Sequence, residues 1–123
     1  MPAVAPIHAS AVIDPRARLD DGVQVGPFVV IEGDVTVAAG AVLRAGTVLL
    51  DGTHVGPGAR LGPYAVIGGA PMDTRFRGEP SGVDIGAGAD LREHVTVHRA
   101  TGEGARTQVG AGALQVAIRE RGL

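Results

Sequence analysis

The chain contains 123 residues with a formal net charge of −2 and no cysteine. These values exclude a disulfide framework, a thiolate metal site and a cysteine nucleophile, and they leave no basic excess for binding nucleic acid. No stretch approaches the ~18 consecutive apolar residues of a membrane span, and the N-terminus lacks a signal-peptide pattern, so we expect a single cytoplasmic domain without a transmembrane segment.

A period of six residues runs from Ile7 to Met72. In eleven consecutive hexads the first position is always Ile, Leu or Val, and the fifth is small or β-branched until Pro71. Positions five and one, such as Thr47 and Leu49, are two apart and therefore face the same side of a strand. The intervening steps are rich in glycine, which favours turns. Short strands joined by turns every six residues predict a parallel β-helix.

The composition agrees with a narrow core. Glycine accounts for 20 residues and aromatic residues for 2% of the chain, so the interior has few rings to accommodate. A β-sandwich is the alternative, but its strands and turns need about 8–12 residues and keep no fixed phase. We expect roughly six coils stacked along one axis. The side chains predicted to point inward are Ile31, Val37, Leu43, Leu49, Val55 and Leu61.

The pattern stops over residues 68–84 and resumes at Ile85, and a second break over 102–108 precedes Val109. Both restarts keep the phase of six, which predicts loops that leave and re-enter the helix at one corner. Long loops without secondary structure are often functional. The first loop carries Asp73 and Arg75, which could fix a polar ligand by charge-assisted hydrogen bonds or could pair with each other in solvent.

The loop GGAPMDTRFRGEPS, the following LREHVTVHRAT and the later TQVG together resemble the acyl-carrier-protein–UDP-N-acetylglucosamine O-acyltransferases, a hexapeptide-repeat family. The resemblance runs from Ile7 to about Val116. It implies a left-handed β-helix, a homotrimer and no cofactor. The implied reaction transfers a 3-hydroxyacyl group from acyl carrier protein to the 3-hydroxyl of UDP-N-acetylglucosamine, the first step of lipid A synthesis. It also implies that Asp73, Arg75 and His98 contact the UDP-sugar or the acyl donor, and that the loop reaches a neighbouring subunit.

The sequence departs from the family at several positions. Met72 stands where the family has Gln, Arg75 where it has Lys, and Phe76 where it has Tyr. The family's general base lies in a His-x-Ala-His segment whose histidines fall on Glu120 and Leu123 here. General-base catalysis contributes about 10²–10⁴-fold, so we identify no catalytic residue and do not expect efficient acyl transfer from the chain as written.

We therefore expect residues 1–117 to form the β-helix and 118–123 to be a charged tail unlike the family, whose C-terminal helical domain is absent. The favoured interpretation is a truncated acyltransferase. A catalytically silent β-helix fragment or assembly module is the alternative, followed by a small acetyltransferase or carbonic anhydrase of the same fold.

The four histidines fall into two groups according to their positions in the hexads. His8 and His54 occupy outward positions and are expected at the surface. His94 and His98 are four apart, but a catalytic zinc needs a third ligand and no third histidine follows nearby. We therefore predict no metal site and assign His98 to substrate contact by resemblance.

Overall fold

The computed structural model describes residues 7–117 and contains β-strands but no helix in that part of the chain. No helix there is long and apolar enough to cross a membrane. The strands are β1 Val12–Ile13, β2 Arg18–Leu19, β3 Gln24–Val25, β4 Val30–Ile31, β5 Thr36–Val37, β6 Val42–Leu43, β7 Val48–Leu49, β8 Thr53–Val55, β9 Arg60–Leu61, β10 Val66–Gly69, β11 Gly82–Ile85, β12 Asp90–Leu91, β13 Thr96–His98, β14 Arg106–Val109 and β15 Leu114–Gln115.

The strands form three parallel sheets, and each strand pairs with the one three places later in the chain. The sheet orders are β1-β4-β7-β10-β13, β2-β5-β8-β11-β14 and β3-β6-β9-β12-β15. A chain that visits three sheets in rotation is a three-sided parallel β-helix, as the hexads predict. The described residues make five coils, with a bridge from Ile7 to Val25 below β3. The expectation of six coils was therefore one too many for this part of the chain.

The core is a stack of first-position and fifth-position side chains. All six residues predicted to point inward are at most 3% exposed, which confirms the hexad phase. Ile31, Leu49 and Ile67 lie in direct register on adjacent strands and form one column of this core. Thr47 and Thr53 are fully buried at the fifth position, and each hydroxyl donates to a carbonyl one coil away, at 3.2 and 3.4 Å. The buried hydroxyls are therefore satisfied.

The first loop is shorter than the break in the hexad pattern, and the second loop is displaced from its break toward the N-terminus. β10 continues through Gly69 and β11 begins at Gly82, so the first loop comprises residues 70–81. β14 begins at Arg106, which leaves 99–105 as the second loop. Backbone pairing needs no apolar side chain, so strands extend beyond the residues that match the hexad.

One outer corner carries bulky residues in the left-handed backbone region. Phe28, Tyr64 and His94 have φ values of 61°, 60° and 62°. Gly46 occupies the same corner between Phe28 and Tyr64, with a φ of 70°. The Tyr64 ring covers Gly46, where a Cβ atom would collide with it. On its other side the Tyr64 ring stacks on His94, with centroids 5.7 Å apart and planes inclined by 10°.

Candidate functional site

The first loop begins with a tight turn built around Asp73. Asp73 Oδ1 accepts from the backbone N–H of Arg75 at 2.9 Å, and Phe76 N donates to the Asp73 carbonyl at 3.0 Å. The guanidinium of Arg75 also binds the carboxylate with two atoms, through Nε at 3.1 Å and Nη2 at 2.8 Å. The structure therefore places these two predicted site residues together, in a bidentate ion pair.

The pair has a fixed charge state. The hydrogen bond from the Arg75 side chain, followed by that from its backbone N–H, lowers the pKa of Asp73 to about 2. The same contact raises the pKa of Arg75. The Arg75 side chain remains 83% exposed, so its outer edge can still donate to a second partner. Self-pairing therefore leaves the pair able to contact a ligand.

His98 lies at the base of the same loop. Its Nδ1 atom is 2.8 Å from the carbonyl oxygen of Ala70. A carbonyl only accepts, so Nδ1 donates and Nε2 of the neutral ring is left as an acceptor. The backbone of His98 is held as well, because Thr107 Oγ1 donates to its carbonyl at 2.7 Å. All three predicted site residues thus belong to the loop or to its anchoring strand.

Glu79 joins the two loops, and the sequence analysis assigned it no role. Its Oε1 accepts from Arg77 N at 2.7 Å and its Oε2 from Gly102 N at 2.8 Å. These contacts, with the Arg77 N–H foremost, lower the pKa of Glu79. Gly104 N also donates to the Pro80 carbonyl at 2.8 Å. Residues 70–81 and 99–105 therefore form one joined unit, which we call the double loop.

Arg99 adds a contact between the two halves of the double loop. Its backbone N–H donates to the Gly69 carbonyl at 2.8 Å, and its guanidinium carbon lies 5.4 Å from the centre of the Phe76 ring. This cation–π contact holds the aromatic side chain that separates Arg75 from Arg77. Phe76, one of three aromatic residues in the chain, is thus used to fix the loop.

The other histidines have their own partners. His8 Nδ1 contacts Ser10. His54 Nδ1 lies 3.3 Å from Asp84 Oδ1, and the His54 side chain is about half exposed. His94 stacks on Tyr64 and does not share a site with His98. Within residues 7–117 no three His, Asp or Glu side chains are grouped so as to hold a metal ion. Glu120 and Leu123, the positions of the family's histidines, lie outside the described residues.

Comparisons with known proteins agree with this architecture. Residues 16–51 match the bacterial transferase hexapeptide (six repeats) family. The acyl-[acyl-carrier-protein]–UDP-N-acetylglucosamine O-acyltransferase of Stenotrophomonas maltophilia is 52% identical over 98 residues, covering 80% of this chain and 37% of that protein. The corresponding protein of Trichlorobacter lovleyi is 46% identical over 112 residues, or 90% of this chain and 43% of that protein.

Solved structures give the same result. The UDP-N-acetylglucosamine acyltransferase of Bacteroides fragilis superposes with a TM-score of 0.87 at 36% identity, over 89% of this chain and 43% of that one. The protein of the same type from Acinetobacter baumannii also gives 0.87, at 33% identity, over 91% of this chain and 44% of that one.

Fold and repeat together define a hexapeptide-repeat protein with a left-handed parallel β-helix. Over most of its length the chain is similar to the acyl-[acyl-carrier-protein]–UDP-N-acetylglucosamine O-acyltransferases. It spans less than half the length of the relatives it matches, 37% and 43% of the two bacterial proteins above.

Proposed function

We propose that the double loop and His98 form a substrate-binding part of a UDP-N-acetylglucosamine O-acyltransferase. The reaction is transfer of a 3-hydroxyacyl group from acyl carrier protein to the 3-hydroxyl of UDP-N-acetylglucosamine, within lipid A synthesis and in the cytoplasm. The proposal is supported by the family relationship and, above all, by the joining of Glu79 to Gly102, which holds the loop before any ligand arrives. A site held in its binding geometry loses less entropy on binding.

Each side chain has chemistry suited to a polar substrate. Asp73 is ionised at neutral pH, as any Asp with an ordinary or lowered pKa is, and it can accept from a sugar hydroxyl or amide N–H. Arg75 can donate from its exposed edge to a phosphate or to the carbonyl of the acyl donor. In its neutral form the His98 ring can accept through Nε2, because Nδ1 is engaged by Ala70.

We further propose that the protein is a homotrimer in which residues 69–82 reach toward a neighbouring subunit. The support is the family resemblance together with a loop whose Arg75 side chain is 83% exposed. Sedimentation equilibrium at micromolar concentration should give a trimer mass, and a monomer at all concentrations would contradict this part of the proposal.

The binding proposal is tested by titrating the full chain with UDP-N-acetylglucosamine and following backbone amide resonances. The amides of the double loop should shift in a saturable way. Asp73→Asn and His98→Phe should each weaken binding by about tenfold, the loss expected from one good polar contact. Arg60→Gln, an exposed arginine on β9 of another sheet, is the matched control and should bind normally.

Two results would refute the binding proposal. One is the absence of any saturable shift in a folded chain, which would favour the silent assembly module. The other is a shift that Asp73→Asn and His98→Phe leave unchanged. Turnover with 3-hydroxyacyl carrier protein is measured separately, so that catalysis and binding are not confused.

A further inference from the structure

A second polar site lies between the double loop and two earlier coils, in a cleft of about 350 Å³. One wall is the end of the first loop, with Glu79 and Ser81, and the other is formed by turns of two earlier coils, with Asp34 and Asp51. Arg99 completes the lining. Small-molecule sites in proteins occupy about 300–1,000 Å³, so the cleft has room for a small ligand. Asp73, Arg75 and His98 do not line it.

The carboxylates around this cleft already have donors. Asp34 accepts from the guanidinium of Arg18 at 3.3 Å, and Asp51 accepts from the backbone N–H of Asp34 at 2.6 Å. Glu79 accepts from two backbone N–H groups, at 2.7 and 2.8 Å. Each of these carboxylates therefore accepts a hydrogen bond without any contribution from Arg99.

Two hydrogen-bond donors of the residues that line the cleft, in contrast, have no partner in the described part of the chain. Arg99 forms no salt bridge with any of residues 7–117, and its buried Nε has no acceptor there. The hydroxyl oxygen of Ser81 is also buried without a partner in the same range. Buried polar atoms without partners are rare in native proteins, because each carries an uncompensated desolvation cost. Both belong to residues that line the same cleft.

The guanidinium is also held in place. Its contact with the Phe76 ring, at 5.4 Å, and the backbone bond from Arg99 N to the Gly69 carbonyl fix both ends of the side chain. A positioned guanidinium with unused donors matches the two-point geometry of a phosphate or a carboxylate. An oxyanion would therefore supply the acceptors that these donors lack.

We propose that this cleft binds an oxyanion, a phosphate or carboxylate group carried by a small hydroxylated or amino-bearing molecule. Arg99 donates to the anion, and the Ser81 hydroxyl donates beside it. Asp34 and Asp51, exposed at the rim, accept from hydroxyl or ammonium groups on the rest of the molecule and disfavour ligands that carry negative charge throughout. The site does not depend on the substrate-binding role of the double loop.

The test titrates the full chain with inorganic phosphate and, in a parallel arm, with acetate, at constant ionic strength in chloride. The Arg99 Nε–H resonance and the amide of Ser81 are followed. Saturable shifts with a Kd of about 1 mM or tighter are expected in at least one arm, and the arm that saturates identifies the anion. Arg99→Gln should weaken binding at least tenfold. Arg99→Lys keeps the charge but loses the planar, two-point donor geometry of the guanidinium, and it should weaken binding less.

Arg60→Gln is the matched control and should leave the titration unchanged. Ser81→Ala provides a second variant that keeps Arg99, and it should reduce the affinity severalfold. The proposal is overturned if neither anion saturates the shifts, if chloride alone reproduces them, or if Arg60→Gln has the same effect as Arg99→Gln. Loss of UDP-sugar binding in Asp73→Asn with phosphate binding retained would separate the two sites.

Discussion

Truncating Leu49 tests whether the core column is rigid. Leu49 is fully buried, and it stacks between Ile31 and Ile67 on adjacent strands. The ladder bonds from Glu32 N to the Leu49 carbonyl and from Leu50 N to the Ile67 carbonyl, both at 2.9 Å, keep these coils at a fixed spacing. The coils cannot close over a missing side chain, so Leu49→Ala should fall in the upper part of the Leu→Ala range, about 3–5 kcal/mol.

The assay is urea unfolding followed by far-UV circular dichroism at one fixed protein concentration. Leu49→Asp should be more damaging than Leu49→Ala, since it adds an unpaired buried charge. Val12→Ala is the control, because Val12 is 64% exposed on β1, and it should change the free energy of unfolding by no more than about 0.5 kcal/mol. A loss below about 1 kcal/mol for Leu49→Ala would refute the idea that the coils are held apart.

Three further predictions concern the loops and the aromatic corner. Glu79→Gln replaces one accepting oxygen with a donor, so amide exchange at Gly102 should accelerate; unchanged exchange would contradict the joined double loop. The pKa of Asp73 is lowered to about 2, so its stabilising pair with Arg75 is complete above the usual Asp value of about 4 and is lost as the pH falls toward 2. Titration of the Asp73 carboxyl resonance checks this, and a midpoint near 4 would disprove it. Gly46→Ala should destabilise by about 1–2 kcal/mol, because Gly46 has a positive φ and the Tyr64 ring covers it. Thermal melts should show partial recovery when Tyr64→Ala is added, and a neutral Gly46→Ala would argue against the crowded corner.

The core could be predicted from the sequence because every coil repeats one local rule. Every first-position residue from Val25 to Ile67, Leu43 and Leu61 among them, is buried for the same reason, and the phase is visible without knowledge of distant contacts. The loop bounds could not be read as well, since β10 extends through Gly68 and Gly69, which carry no side chain, and β11 begins at Gly82, before the buried Val83. Gly82, for example, pairs in β11 while contributing no apolar side chain.

The candidate site was predictable only where its contacts are local. Asp73 and Arg75 are two positions apart, so their pairing could be foreseen from their charges. Glu79 and Gly102 are 23 positions apart and meet through a backbone N–H, which leaves no signature in the sequence. His94 was weighed as a partner of His98 by spacing, whereas a corner with positive φ turns its ring onto Tyr64.

The placement of the first loop at a corner has a consequence for how such a chain can change. The paired residues Ile31 and Leu49 are 18 positions apart, whereas Ile67 and Val97, across the loop, are 30 apart. By the logarithmic law for ring closure, that extension costs only about 0.5 kcal/mol. Length and composition of the segment can therefore drift, or be exchanged by an engineer, while the scaffold keeps its register. Under the proposed function, selection on ligand recognition and selection on folding thus act on separate parts of one short polypeptide.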